Sequence, residues 1–564
     1  MTLRMKRWGL SLLWIASLFM GVAPAQAGTL APDLQAQVQA NPLSVRPVRV
    51  IVQLSNTGVS GTLLALLYGG TLLGELDLID GLILSVPLNV LPALSLNTAV
   101  ASVSSDLPLS GRADFDAQAT GAAEVWASPG YSGTQVRVAV LDSGVNVGTS
   151  EWLGDSGQSR LVAFKDLVNN RSAAYDDNGH GTHVAGIVLG GGTHSNGAIG
   201  GTAPGADLVA VKVLGQDGSG RTSTVIKGID WCVRQRTALN LRVINLSLGH
   251  SPTESYHTDP LCTAVRKAVN AGLVVVCSAG NSGKDAAGNP QFGGIDSPGN
   301  EPSAVTVGAL NTMGTPGRDD DVVCSYSSRG PTVYDALPKP DVVAPGNRVV
   351  SVRAPGSYLD TAYPYNRVQY AADAPSPEYF ELSGTSMAAP QVAGIAALVL
   401  DANPGLAPGA VKGVLMYTAQ TLALRDGTGT PLSTTFSVLS QGAGSVNAVG
   451  AVQLALQLNS TTPAGSVWCT SPIVPESTVA GTSFTWAQFV LWGSKALWGT
   501  DLLRVRQPLW TDQASWGTST SWSGGVSASD YTGGPEENTD PPPPPPPPDD
   551  AQITWSDSGP IRGE

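Results

Sequence analysis

The sequence predicts an α/β domain with a mainly parallel sheet that helices cover on both faces. From about residue 120, apolar runs of strand length alternate with helix-capable stretches, as in sheets whose strands are buried on both faces. The runs are 136–141, 208–214, 241–246, 273–276 and 304–307. Asp142, Ser247 and Asn281 come just after such runs, and parallel sheets bind ligands at the carboxyl ends of their strands. We therefore expect these polar residues to meet at one edge of the sheet.

A shorter alternation of strand-like and helix-capable stretches precedes this domain, in residues 46–109. Strand-like runs occupy 49–54, 82–86 and 100–103. A helix-capable stretch lies near 60–68, and a further segment covers 87–96. This order of elements predicts a small α+β unit.

Beyond residue 455 the composition shifts to Trp, Ser, Thr and Gly. Tryptophans repeat with a six-residue period, at Trp486, Trp492, Trp498, Trp510, Trp516 and Trp522, with Arg504 in the missing place and Trp468 in phase upstream. In one extended strand this even step keeps the rings on one face, whereas a helix would scatter them, so we expect a β-like or flexible tail. Residues 541–548 are all proline and predict a polyproline rod of roughly 25 Å.

Five segments result from these changes of pattern. They are a signal peptide at 1–27, the α+β unit at 28–115, the α/β domain at 116–455, the Trp-rich region at 456–530 and a Pro-rich acidic tail at 531–564.

Composition and charge exclude several classes of function. With 564 residues, 42% of them hydrophobic and 13% charged, the chain has enough apolar residues for a large core and is neither disordered throughout nor a small disulfide scaffold. Its 31 basic and 44 acidic residues give a net charge of −13. Nucleic acids and anionic membranes are therefore poor partners, because binding to either needs a basic surface.

The first 27 residues have the pattern of a secretory signal. Arg4, Lys6 and Arg7 precede a mostly apolar stretch at 8–20, and Ala25-Gln26-Ala27 offers a cleavage site. An uncleaved anchor helix is the alternative. We accordingly expect a secreted protein, with retention at the cell surface left open.

Export would place the cysteines in an oxidising compartment, where disulfides persist. The five cysteines are an odd number, and their spacing includes no C-x-x-C, which weakens a zinc interpretation. We expect Cys232 and Cys262 to pair, because each lies on a separate helix-like segment. Buried thiols are the alternative expected for Cys277 and Cys324.

Three short segments carry candidate catalytic residues. They are 140–144 with Asp142, 178–183 with His180, and 383–390 with Ser386. Taken together and in this order, they resemble the subtilisin-like serine proteases. Further segments similar to family blocks lie at 213–220, 243–249, 278–281, 325–331 and 340–346.

The resemblance covers about residues 120–455 and implies a subtilisin-like three-layer fold and endopeptidase activity on polypeptide substrates. The upstream unit is similar to the family's propeptide, an intramolecular inhibitor and chaperone that is cleaved off. The family chemistry would make the chain an autoprocessed precursor, or zymogen.

A serine hydroxyl is a weak nucleophile, so Ser386 needs a base within hydrogen-bond reach and a third group to orient that base. His180 and Asp142 have the chemistry for these roles. Asn281 would donate from its side chain to a developing oxyanion. The alternative for His180 and His183 is a metal pair on one helical face, but no third ligand is evident, and the resemblance makes His183 structural.

The resemblance also implies a substrate site built mainly from small residues. Its members are Gly218, Ser219, Gly220, Ser247, Leu248, Gly249, Ser278, Ala279 and Gly280. The first six would pair with an extended peptide, and Ser247 to Gly249 together with Ser278 to Gly280 would form the walls of the first subsite. No cofactor or metal is needed for this chemistry. Calcium often stabilises the family, but 193–199 does not clearly reproduce its binding loop, so a structural calcium stays open.

A different function would place the activity in the tail. The tryptophan repeat could contact carbohydrate or a cell surface while the protease scaffold is idle. The complete Asp142, His180 and Ser386 pattern with Asn281 argues against an idle scaffold. A repetitive β structure that buries the rings is the other interpretation of the repeat.

Overall fold

The computed structural model of this chain describes residues 28–55, 58–76, 80–105, 116–154, 156–286, 288–370, 376–425, 430–461, 469, 473–492, 495–498, 520–521 and 552–554. The predicted signal peptide, the proline run and most of the tryptophan repeat lie outside these residues. The chain divides into two compact units, Met1–Ser110 and Gly111–Glu564. The sequence analysis placed the corresponding boundary at residue 115.

The first unit is a five-stranded sheet with short helices. Its elements are β1 (Thr29–Leu30), α1 (Pro32–Ala40), β2 (Pro47–Leu54), α2 (Gly61–Leu67), β3 (Thr71–Leu76), β4 (Gly81–Pro87), α3 (Leu91–Ser95) and β5 (Val100–Ser105). The strands lie in the order β1-β5-β2-β4-β3. The three predicted strands are present as β2, β4 and β5, and the sheet gains β1 and β3. Alternating apolar residues of β2, Val50 and Val52, are fully buried in this unit's own core.

The second unit contains an eight-stranded, mainly parallel sheet. Its strands are β6 (Arg137–Asp142), β7 (Leu161–Asp166), β8 (Asp207–Lys212), β10 (Leu241–Leu246), β11 (Val274–Ser278), β12 (Val305–Asn311), β13 (Val322–Val323) and β14 (Val342–Pro345). A short separate strand, β9 (Ser219–Arg221), follows β8. The order is β13-β12-β11-β10-β6-β8-β7, with β14 also paired to β12, and only β13 runs antiparallel. The predicted α/β class is confirmed.

Helices cover both faces of this sheet. They are α4 (Asp116–Ala119), α5 (Ala122–Ala127), α6 (His180–Leu189), α7 (Thr222–Gln235), α8 (Pro260–Asn270), α9 (Tyr358–Ala362), α10 (Thr385–Ala402), α11 (Pro408–Tyr417), α12 (Thr434–Gln441) and α13 (Ala448–Gln457). Alternate residues of the central strand β6 pack against the helices on opposite faces of the sheet. Val138 and Val140 pack with α6 and α10, whereas Ala139 and Leu141 pack with α7 and α8.

Helix α10 is apolar all round because it lies in the core. Its residues from Thr385 to Leu400 are all buried. Among the described residues it alone is long and apolar enough to cross a membrane, but 89% of it is already covered by the rest of the unit. Its hydrophobicity is therefore that of a core helix.

Small sheets complete the second unit. Their strands are β15 (Val349–Val352), β16 (Arg367–Val368), β17 (Tyr379–Leu382), β18 (Glu476–Val479), β19 (Thr482–Thr485), β20 (Phe489–Trp492), β21 (Lys495–Trp498), β22 (Thr520–Ser521) and β23 (Gln552–Thr554). The described part of the Trp-rich region is thus β structure, as predicted. However, β20 and β21 form an antiparallel pair rather than the single extended strand that the argument from the six-residue period assumed.

Trp486 belongs to the core rather than to a row of exposed rings. It is 3% exposed, its indole N–H donates to the Ser477 hydroxyl at 2.8 Å, and its ring meets Tyr417 edge-on. This tryptophan fits the interpretation that the repeat buries its rings. Trp468, Trp510, Trp516 and Trp522 lie outside the described residues.

The predicted Cys232–Cys262 disulfide is wrong, because both residues are buried free thiols. The prediction that they lie on neighbouring helices is right, since Cys232 belongs to α7 and Cys262 to α8. Cys232 is packed in the apolar layer on the sheet. The Cys262 thiol instead donates to Asn300 Oδ1 at 3.0 Å. Burial raises the pKa of both thiols and keeps them protonated.

Candidate active site

Asp142 is the last residue of β6 and is completely buried. Its Oδ1 accepts a hydrogen bond from His180 Nδ1 at 2.8 Å and another from the Ser143 backbone N–H at 2.7 Å. A buried carboxylate is costly unless it has partners, and these two bonds supply them. The Nδ1 bond also fixes the tautomer, so that the histidine's proton acceptor is Nε2.

His180 is the first residue of α6, and its place is set by the preceding loop. Gly179 has φ = +105°, a backbone conformation that favours glycine, and Asn178 Oδ1 accepts the His180 N–H at 3.1 Å. The Asp176 carboxylate accepts backbone N–H groups from Gly179 at 2.8 Å and from Thr182 at 2.8 Å. This carboxylate satisfies donors that a helix start leaves open.

The helix start is pressed against the strand end that carries Asp142. Gly181 lies so close to the backbone of Ser143 and Gly144 that a Cβ would collide with the Gly144 carbonyl. The Gly181 N–H donates to the Ser143 hydroxyl at 2.9 Å, and that hydroxyl donates to Asp176 at 2.8 Å. The His180 ring is therefore held over Asp142 by both backbone contact and side-chain bonds.

Ser386 is the second residue of α10 and is 3% exposed. Its hydroxyl donates to the Ser247 carbonyl at 3.1 Å, and its own carbonyl accepts from the Ser247 hydroxyl at 2.8 Å. Pro390 explains the second bond, because it has no N–H to give to the carbonyl four residues earlier. The serine from the neighbouring strand end supplies the missing donor.

These contacts bring Ser386 to the same edge of the sheet as Asp142. Strands β6 and β10 are neighbours, with Val140 opposite Asn245 in the parallel register. Asp142 and Ser247 each follow two residues later, so they lie level with each other. Helices α6 and α10, which begin at His180 and just before Ser386, pack against each other. The structure thus gathers the three predicted catalytic residues at one place.

Asn281 lies beside the start of α10. Its Oδ1 accepts the Thr385 N–H at 3.0 Å and the Thr385 hydroxyl at 3.2 Å, which turns the amide donor Nδ2 to the other side. A Cβ built on Gly384 would be 3.5 Å from that Nδ2. The first N–H groups of a helix and an amide donor together form a site that suits a negative oxygen.

The predicted substrate-binding residues follow three strands near β6. Gly218, Ser219 and Gly220 lie beyond β8, Ser247 to Gly249 beyond β10, and Ser278 to Gly280 at the end of β11. Leu248 is 1% exposed and packs in the core, so this segment offers its backbone rather than that side chain. Gly280 has φ = +102°, and a Cβ there would come within 2.5 Å of Asp296 Oδ2.

His183 is a structural residue, three positions after His180. Its Nε2–H donates to the Phe380 carbonyl at 2.9 Å, and the His183 carbonyl accepts from the Ser351 hydroxyl at 2.8 Å. Burial, with a smaller effect from the His180 charge, lowers the pKa of His183 to about 3. We conclude that it stays neutral and anchors α6 to β15 and β17.

This lowered pKa predicts a loss of stability in acid. As the pH falls from 6.5 towards 3, the unfolded chain binds a proton at this histidine and the folded chain does not, so unfolding becomes easier by at most about 1.4 kcal/mol per pH unit. Above pH 6.5 the group contributes no pH dependence. Urea unfolding of Ser386→Ala protein, chosen to prevent self-digestion, should therefore lose stability faster between pH 6 and 4 than the same protein with His183→Gln. Equal slopes would contradict this assignment.

Glu151 holds the loop at 193–199, for which the sequence left calcium binding open. Its Oε2 accepts the Gly192 N–H at 2.6 Å, and Oε1 accepts the His194 N–H at 3.1 Å and the Tyr379 hydroxyl at 2.7 Å. Burial, and secondarily the Glu151 charge, raises the pKa of Tyr379 and keeps it a donor. N–H and O–H donors therefore engage both oxygens of this carboxylate. Nowhere in the described ranges do three or more His, Cys, Asp or Glu side chains form a cluster that could hold a metal ion.

We expect Glu151→Ala to destabilise the second unit by about 3 kcal/mol. The change leaves buried N–H and O–H donors without an acceptor, and each such donor costs roughly 1–3 kcal/mol. Thermal unfolding in the Ser386→Ala background measures this as a lower Tm. Glu151→Gln, which keeps one acceptor oxygen, is the matched control and should lose less. A Tm that Glu151→Ala leaves unchanged would contradict the role of this carboxylate.

Sequence analysis did not identify Asp176, Ser143 or Lys212 as parts of this site. Lys212, opposite Asp142 on β8, donates to Asp177 at 2.6 Å and to the Ser143 carbonyl at 2.6 Å. A signal for Asp176 was present, since an acidic residue shortly before a helix start is a capping pattern. Lys212 carried no signal, because one lysine in an apolar run gives no hint of where its amine is satisfied.

Comparisons with known proteins agree with the sequence motifs. A family model described as the subtilase family matches residues 133–476. Serine protease AprX of Bacillus subtilis (strain 168) is 43% identical over 289 residues, which are 50% of this chain and 61% of that protein. Subtilisin E of the same strain is 36% identical over 295 residues, 52% of this chain and 62% of that protein. The chain thus spans less than two thirds of the length of these relatives.

Among solved structures, a cold adapted subtilisin-like serine proteinase is 34% identical to this chain. The match covers 53% of this chain and 88% of that chain, with a TM-score of 0.39.

Proposed function

Because the chain belongs to the subtilase family, we propose that it is a serine endopeptidase that hydrolyses polypeptides through an acyl-enzyme on Ser386. The observation that supports this most strongly is the buried 2.8 Å bond between Asp142 and His180, at the sheet edge where α10 presents Ser386. No metal or cofactor is required for this chemistry.

In the proposed mechanism, Ser386 Oγ attacks the scissile carbonyl while His180 Nε2 takes its proton. His180 then gives that proton to the leaving amine, and a water molecule repeats the sequence to release the acyl group. Asp142 remains ionised, holds the imidazole through Nδ1 and stabilises the imidazolium. The Asn281 amide and the N–H groups at the start of α10 would bind the oxyanion.

Extended substrate would bind by adding a strand to the backbone of β9 and of Ser247 to Gly249. The turn before β9 is held by its own bonds, including Gly215 N–H to the Ser219 carbonyl at 2.7 Å. Ser278 to Gly280 would line the first subsite. Position 280 must be glycine there, because a Cβ would come within 2.5 Å of Asp296 Oδ2.

The proposal extends to a secreted precursor. Residues 1–27 would direct export, and the α+β unit at 28–115 would serve as an intramolecular inhibitor that the enzyme removes. The signal pattern of the first residues and the separate core of this unit support the proposal.

The test is to express the chain without its signal, beside a Ser386→Ala version, and to follow chain mass and casein degradation over time. We expect only the wild type to shed a fragment the size of the upstream unit and to degrade casein. If both proteins degrade casein alike, Ser386 is not the nucleophile; if neither does, the precursor has not matured or the protease function fails. Binding of insoluble polysaccharide by both inactive proteins would then favour the function based on the Trp-rich tail.

A further inference from the structure

A short strand near the C-terminus pairs with β9. Strand β23 (Gln552–Thr554) runs antiparallel to β9, with Gln552 opposite Arg221, Ile553 opposite Gly220 and Thr554 opposite Ser219. We propose that this C-terminal segment binds β9 in cis and competes there with polypeptide substrates. The inference rests on the proposed function, in which β9 is a substrate-binding strand.

Strand β9 is available for such pairing because it is separate from the eight-stranded sheet. In the described part of the chain its one strand partner is β23, and the two form a sheet of their own. On its other side β9 lies against the end of β8, where a Cβ on Gly220 would come within 2.8 Å of the Val213 carbonyl. An edge strand of this kind is a template for an extended peptide.

The direction of β23 is one that leads towards the catalytic residues. Antiparallel pairing carries the tail from Arg221 back to Ser219, the residue nearest the preceding turn. That turn is tied to the catalytic loop, because Asn178 Nδ2 donates to the Gln216 carbonyl at 2.9 Å and Asn178 Oδ1 accepts the His180 N–H. A peptide bound in this direction extends from β9 towards His180, as a substrate must.

The connection between the tail and the rest of the unit is long enough. Residues 522–551 join β22 to β23, and at about 3.3 Å per residue in extended form they exceed the diameter of a domain of this size. Tethering gives a segment an effective concentration on the order of millimolar, so even a weakly binding strand occupies its site. Three residues of backbone pairing are therefore sufficient for partial inhibition.

The test compares full chains that differ only in the tail. Proline lacks the N–H that a strand ladder needs, and adjacent residues of a strand direct their N–H groups to opposite edges. Gln552→Pro with Ile553→Pro therefore removes a donor to β9 whichever residue supplies it. Asn538→Pro with Thr539→Pro, placed before the proline run, is the matched control.

The first readout is hydrogen–deuterium exchange at 219–221, which needs no catalysis. A small phosphonate inhibitor is added to each of the three chains first, so that they do not digest themselves. Intact mass then verifies that the tail is present. We expect faster exchange in the Gln552→Pro/Ile553→Pro chain than in the wild type and the control. Equal exchange in all three, or a mature enzyme that has lost residues 552–564, overturns the proposal.

The second readout is the hydrolysis of a short chromogenic peptide, normalised to titrated active sites. We expect the paired proline change to lower KM by about tenfold without changing kcat, since it removes a competitor and leaves the catalytic residues alone. An unchanged KM in an active enzyme contradicts competition while leaving the proposed function intact. If no chain hydrolyses the peptide, the proposed function fails, and exchange at 219–221 still decides whether the tail pairs with β9.

Discussion

Ser386→Ala should lower kcat for peptide hydrolysis by about 10⁶-fold, the size of loss that removal of the nucleophile brings in this family. The hydroxyl oxygen forms the covalent bond to the substrate, so no neighbouring group replaces it. KM and Tm should change little, because the methyl group fills the same buried place at the start of α10. Steady-state kinetics on a short chromogenic peptide, with thermal unfolding as a control for folding, measure the effect.

The same measurement tests whether Ser386 and His180 act as one unit. His180→Ala should cost nearly as much as Ser386→Ala, and the double variant should be no worse than either, because a base without its nucleophile has nothing to activate. Multiplicative losses in the double variant would contradict the shared role. Full activity in either folded single variant would contradict it directly.

Asn281→Leu is expected to lower kcat by about 10² to 10³-fold with little change in KM. The amide donor would act on the oxyanion, which carries its charge only in the transition state, so its loss leaves binding of the ground state intact. Kinetics on the same chromogenic peptide separate kcat from KM.

Two further variants separate this donor from the structural bonds of Asn281. The residue also accepts the Thr385 N–H and hydroxyl, so Asn281→Leu removes two functions. Asn281→Asp keeps the acceptor oxygen but loses the donor, and it should lose at least as much kcat. Thr385→Val removes a hydroxyl partner while keeping the amide donor, and it should retain most of the activity. An active Asn281→Asp enzyme would exclude the oxyanion role.

Much of the fold followed from the sequence, because buried parallel strands leave a strong pattern. The run 241–246 coincides with β10, and the other four runs are shifted by one to four residues at their ends. Strand β7 was not predicted, since the apolar part of this edge strand, Leu161–Phe164, is only four residues long and Lys165 and Asp166 follow it. In the first unit, β3 was missed because the register shift between Leu72 and Gly74 interrupts its alternation.

The site was predictable where a role depends on a short segment and not where it depends on contacts between segments. Asp142, His180 and Ser386 each stand in a recognisable block. The two bonds between Ser247 and Ser386 join residues far apart in sequence, and Pro390 explains one of them only once the helix is seen. The Cys232–Cys262 prediction failed for the same reason, because neighbouring helices do not determine where each thiol points.

The most direct test of the central claim is to treat the mature protein with a fluorophosphonate and to locate the adduct by peptide mass spectrometry. The proposed mechanism predicts one adduct per chain, on Ser386, with loss of hydrolysis in proportion to labelling. Asp142→Asn should slow the labelling, because the imidazole is then no longer held in the tautomer that accepts the serine proton. An adduct on another residue, or undiminished hydrolysis after Ser386 is fully labelled, would show that Ser386 is not the nucleophile.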